Sequence, residues 1–176
     1  MRKPLLLARE RLELADGKLP GAKQPYHAIE TLPLAAAGAR LAVFRESAAA
    51  LAVSGVGALV ETARAGGIEP IAAGILDSSG RDPGALEAIL ASHALIHTAD
   101  GNHFREALAG ACAALRLPLA RIRQRDLSAE AVRALRRTSP ELAASVARLG
   151  RAAGAPWGAD QKNAALLAWL LFARGI

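Results

Sequence analysis

The stretch Ala85–Leu127, ALEAILASHALIHTADGNHFREALAGACAALRLPLARIRQRDL, holds three of the four histidines (His93, His97, His103), the one cysteine (Cys112) and a run of arginines at its end. The apolar run Ala94-Leu95-Ile96 stops at the polar group His97-Thr98-Ala99-Asp100-Gly101. A helix-forming segment, His103 to Arg116, follows, and then a second apolar run, Leu117 to Ile122. Strand, polar turn, helix, strand is the pattern of a βαβ unit. On that reading Asp100 stands at the carboxyl end of a strand, the edge at which open α/β sheets bind ligands.

Working outward, Tyr26–Leu34 alternates loosely and Arg40–Arg45 follows a Gly38-Ala39 turn, which predicts an N-terminal hairpin. Gly55 and Gly57 sit between an apolar run and a helix that Gly66-Gly67 terminates. Glu69–Leu76 has the composition of a buried strand ending at Asp77-Ser78-Ser79-Gly80. Asp82-Pro83 is a helix start, as are Ser128, Ser139-Pro140-Glu141 and Asp160. Hairpin strands, then alternating helices and strands, then a helical tail predict a single α/β domain over residues 25–176. It has three layers, a mixed sheet and an N-terminal arm over residues 1–24.

Composition bounds the function. One cysteine excludes an intrachain disulfide and a cysteine-based zinc site, and points to a reducing compartment. No secretory pattern opens the chain, and Val60–Ile75 and Ala164–Ala173 are too broken or too short to span a bilayer. A soluble cytoplasmic protein is the expectation. The formal charge of +6 is unevenly spread. Residues 1–47 carry eight Lys/Arg against five Asp/Glu, residues 48–117 four against seven, and residues 118–176 ten against four. A basic final third can attract nucleic acid.

Several residue groups could carry chemistry. Glu30, Asp77, Asp100 and Asp160 are acids at a strand, two strand ends and a helix start, and such carboxylates hold Mg²⁺ or Mn²⁺ when they converge; Glu30, Asp100 and Asp160 are the expected ligands, with Asp77 competing with Asp100 as the strand-end acid. His97 beside Asp100 would act as general base, and Arg105 in the first turn of a helix starting at Asn102 would add an anion-binding donor. Were residues 83–100 one helix, His93, His97 and Asp100 would share a face as metal ligands; the bounded apolar run favours the strand instead. Arg121, Arg123 and Arg125 alternate, with Arg133, Arg136 and Arg137 following, as a stripe for a phosphate backbone. Gly55, Gly57 and Asp77 imitate a dinucleotide fingerprint lacking its third glycine.

This order of elements resembles the ribonuclease H-like superfamily, which includes the Holliday-junction resolvases. There, carboxylates lie on the first strand, at the end of a later strand and on the final helix, places comparable to Glu30, Asp100 and Asp160 over residues 25–173. The resemblance implies a metal-dependent phosphodiesterase acting on nucleic acid. The first-strand aspartate of the resolvases is here replaced by Glu30. A non-catalytic nucleic-acid or partner-binding module resting on the arginine stripe is the alternative, and a nucleotide-binding enzyme a further one.

Overall fold

The computed structural model describes residues 4–78 and 82–175. Residues 1–3 of the predicted arm, and Ser79 and Gly80 of the predicted turn, lie outside the described residues. The chain divides into two compact units. One comprises Leu12–Pro70 and Gly80–Leu117; the other comprises Met1–Arg11, Ile71–Ser79 and Pro118–Ile176.

Among the described residues the fold is mostly helical, with six α-helices and a sheet of two parallel strands. This corrects the expected three-layer α/β domain with a mixed sheet, and the physical cause lies in alanine. The two predicted hairpin strands are replaced by a short 3-10 turn at His27–Ile29 and a helix of 32 residues, α1 (Leu34–Ala65). Alanine has the highest helix propensity of any residue, and α1 repeats it nearly every turn. Its buried positions, Ala37, Leu41, Phe44, Ala48 and Ala52, step by three or four, the helical period. Over an eighteen-residue window the mean hydropathy of α1 is 1.4, which by length and composition alone suffices to cross a bilayer. Gly66 and Gly67 end α1 as predicted, Gly67 with φ +76°.

The decisive stretch contains two helices, α2 (Leu86–Leu90) and α3 (His93–Ala114), with no strand before Leu119. Ala94-Leu95-Ile96 is the first turn of α3. The buried residues Ile96, Ala99, Asp100, His103, Ala107 and Ala111 form a single helical stripe through the Asp100-Gly101-Asn102 segment that resembles a turn. This stripe packs on that of α1. Ala48 and Ala52 face Ala107 and Ala111 at one end, where small residues permit close approach. Phe44, Leu41, Ile29 and Ile96 fill the other. Burying Phe44 contributes about 1.5–3 kcal/mol. The segment from Leu12 to Pro33 has little regular structure, yet it buries Ala15, Ala22, Tyr26 and Ile29 in the same core.

In the other unit, β1 (Ala73–Asp77) pairs in parallel with β2 (Leu119–Arg123), in the register Ala73↔Leu119 to Asp77↔Arg123. Three helices follow: α4 (Leu127–Leu135), α5 (Ser139–Ala153) and α6 (Ala159–Arg174). Leu167, Leu170 and Leu171 of α6 pack with Ile122, Leu76 and Ala120 of the sheet. A Cβ at Gly74 would lie 2.8 Å from side-chain atoms of Leu167 and Leu171, so any larger residue there would force these leucines to shift. Thr138 and Glu141 form a capping box at the start of α5, which holds the Glu141 carboxyl below the usual range. Arg9 donates to the carbonyls of Gly154, Ala155 and Pro156, tying residues 4–11 to the loop before α6.

Candidate metal centre

Because α3 is continuous, His93 and His97 are one turn apart on one face. Their Nε2 atoms lie 3.1 Å from each other. The third member is His27, on the 3-10 turn sixty-six positions before His93. One ring nitrogen from each of His27, His93 and His97 lies within 4.8 Å of the other two, so these three side chains can hold a metal ion. His93 and His97 are exposed and His27 is half-buried, which leaves solvent access on the α3 side.

Asp100 stands one further turn along α3 and is 8% exposed. Its Oδ1 accepts from the Tyr26 backbone N–H at 2.7 Å, and its Oδ2 lies 2.5 Å from His27 Nδ1. Where the carboxylate is the acceptor, Nδ1 is the donor, and Nε2 of a neutral His27 ring then holds the lone pair that a ligand needs. The Tyr26 ring is itself fixed, its hydroxyl accepting from Arg45 at 3.0 Å. His103, one turn beyond Asp100, is buried; burial and then the Arg45 charge push its pKa down, while Asp100 opposes them. His27 also lines a cleft of about 410 Å³ together with Asp16, Lys23 and Gln24.

The remaining predicted residues fall elsewhere. Among the described residues, the group able to share an ion is the histidine trio, and the carboxylates Glu30, Asp100 and Asp160 do not form one. Glu30 is exposed at the end of the 3-10 turn; Asp160 is exposed in the first turn of α6, in the other unit. Asp100 is in the interior of a helix rather than at a strand end, because the strand that would have ended there is helical. His97 contacts His93, and the histidine on Asp100 is His27. Asn102 does not begin a helix, so the amide donors expected there are engaged within α3; Arg105 reaches Asn102 Oδ1 at 3.4 Å. Gly55 and Gly57 are interior to α1, where Gly55 packs on Leu12, so they form no phosphate loop. Asp77 does end a strand, where it receives Arg121 in a bidentate pair.

Of the arginine stripe, Arg125 approaches Asp126 at 3.7 Å, and Arg137 lies over the Trp169 ring at 5.7 Å. Arg123, Arg133 and Arg136 are exposed. Cys112 is buried on α3, and burial pushes its thiol pKa up. The residue that sequence reasoning missed is His27. Its signal was half visible: the His93-x₃-His97 spacing implies a third ligand from elsewhere, and His27 is the one histidine outside the stretch. Comparison with family models, characterised proteins and solved structures finds no match to this chain.

Proposed function

We propose that this protein binds a single transition-metal ion of the zinc class through His27, His93 and His97, for metal-assisted hydrolysis of a small polar substrate. The observation that carries the reading is the Asp100–His27 pair, because a carboxylate on the far nitrogen of a ligating imidazole is the usual partner of such ligands. Two nitrogens bound to one tetrahedral zinc lie about 3.3 Å apart, close to the separation of His93 and His97. Three imidazoles suit zinc, copper or nickel, whereas Mg²⁺ and Mn²⁺ prefer oxygen; the donor set therefore speaks against the ions expected from the sequence. Three protein ligands leave a position open, as catalytic zinc sites do. The bound ion would supply Lewis acidity there. The cleft beside His27 would admit the substrate, with Lys23 and Gln24 as its polar contacts. Phosphodiester hydrolysis is one instance of this reaction class.

A second reading rests on the same pair without a metal: Asp100 orients His27 as a general base facing the cleft. Calorimetric titration with Zn²⁺, and Co²⁺ absorption of the loaded protein, separate the two. One strong site in the wild type, lost in both His93→Ala and His97→Ala, is the outcome of the metal reading. Absence of a Zn²⁺, Co²⁺, Ni²⁺ or Cu²⁺ site in the wild type removes it and leaves the dyad.

A further inference from the structure

We propose that the exposed ridge of α4 in the second unit is a nucleic-acid backbone site, engaged through Arg123, Arg133 and Arg136. This inference is independent of the metal centre. The two units differ sharply in charge: Leu12–Pro70 with Gly80–Leu117 carries eight Lys/Arg against ten Asp/Glu, a formal −2, and the other unit fourteen against six, a formal +8.

Most acids of the basic unit are engaged. Asp77 holds Arg121, Glu130 holds Arg174 at 2.6 Å, Glu141 caps α5, and Asp126 lies beside Arg125. Arg123, Arg133 and Arg136 have no acidic partner among the described residues. Their places in the chain bracket α4. Leu127, Ala131 and Leu135 are the buried face of α4, so Ser128, Ala129 and Arg133 lie on its exposed side. Arg123 ends β2 just before α4, and Arg136 follows α4 directly in the left-handed region, with φ 52°. A helix of nine residues is about 13 Å long, so Arg123 and Arg136 stand just before and just after a short element on whose exposed side Arg133 accompanies the small residues Ser128 and Ala129.

The chemistry favours nucleic acid over an anionic lipid surface. Every cation on the ridge is arginine, which binds phosphate oxygens in pairs. A basic helix that lies on a membrane presents large apolar side chains beside its charges. None of the exposed large hydrophobic residues lies between Leu119 and Leu171. Without aromatic side chains on the ridge, contact is to the backbone and independent of base sequence.

The test is fluorescence anisotropy of the full chain, in EDTA, with labelled duplex DNA and single-stranded RNA, alongside sedimentation with phosphatidylserine vesicles. Three phosphate contacts on duplex DNA give a log–log salt slope of about −2.7, a loss of about fortyfold between ~50 and ~200 mM salt. The triple variant Arg123→Gln, Arg133→Gln, Arg136→Asn abolishes most of that dependence; asparagine is chosen because it tolerates the left-handed backbone. Each single variant flattens the slope by about 0.9, which keeps the test decisive should the triple variant fail to fold. The control pair Arg148→Gln, Arg151→Gln on α5 keeps the wild-type slope. Equal weakening by the control pair, or binding to vesicles but to neither nucleic acid, overturns the proposal.

Discussion

In the histidine-bearing unit, Asp100 is 8% exposed and joins a helix to an irregular segment through His27 Nδ1 and the Tyr26 amide. In the basic unit, Asp77 ends a strand and joins its neighbour through Arg121, with side chains 22% and 35% exposed respectively. Both acids are satisfied, yet they differ in what is lost when they change. A buried carboxylate on an imidazole selects a tautomer and fixes a ring. A half-exposed carboxylate on a guanidinium forms an ion pair that solvent screens. The proposed metal site therefore rests on the buried acid, although by sequence the two looked alike.

Removing one charge from each unit separates the two acids most strongly. Asp100→Asn lowers zinc affinity by about ten- to a hundredfold, the usual consequence of losing a ligand's hydrogen-bond partner. Asp77→Asn leaves zinc affinity unchanged and costs no more than about 1 kcal/mol in urea unfolding. Equal losses of zinc affinity in the two variants would end the distinction.

The apolar runs over 69–76 and 117–122 mark the strands found over 73–77 and 119–123, and the starts at Ser139-Pro140-Glu141 and Asp160 mark α5 and α6, because branched apolar runs and helix-start residues are local signals. The segments 26–45 and 94–100 were not legible in this way. In Ala-rich sequence the apolar pattern is shallow, and Ala94-Leu95-Ile96 fits one strand or one helical turn equally well. The spacing of Ile96, Ala99, His103, Ala107 and Ala111 carried the helical period, but Gly101 and Asn102 imitated a turn and hid it. The histidine site needed that helix and also His27, whose approach to α3 is a tertiary contact that no local pattern encodes.

A second contrast concerns packing. Gly150 of α5 lies under the Trp157 ring, where a Cβ would come within 2.3 Å of the indole. Gly150→Ala forces that ring away and costs about 1–3 kcal/mol, measured by chemical denaturation. A variant as stable as wild type would show that the ring has room to move.

The units should also differ in their response to acid, because the buried histidine belongs to one of them. With its folded pKa lowered by burial and by Arg45, His103 binds its proton more readily in the unfolded chain. Its contribution to stability is complete above the unfolded value of about 6.5 and is lost as pH falls from there toward the folded value. Stability measured over this interval in a chelator falls less steeply in His103→Gln than in wild type. Parallel slopes would show that His103 is not held neutral.

The smallest expected effect is the most direct test of α3 itself. If residues 93–114 are one helix, Gly101 and Gly110 are both interior glycines, each about 1 kcal/mol less favourable there than alanine. At Gly110 a Cβ meets nothing within 4 Å, so Gly110→Ala should stabilise by about 0.5–1 kcal/mol. At Gly101 the added carbon comes within 2.9 Å of an Arg105 nitrogen, the far end of a flexible side chain, so Gly101→Ala should gain less but keep the same sign. In a strand–turn–helix arrangement the two positions would separate: Gly110→Ala would still stabilise, whereas Gly101→Ala would strain a turn and destabilise. Opposite signs in the two melting curves would therefore remove the continuous helix, and with it the facing of His93 and His97 on which the proposed metal site depends.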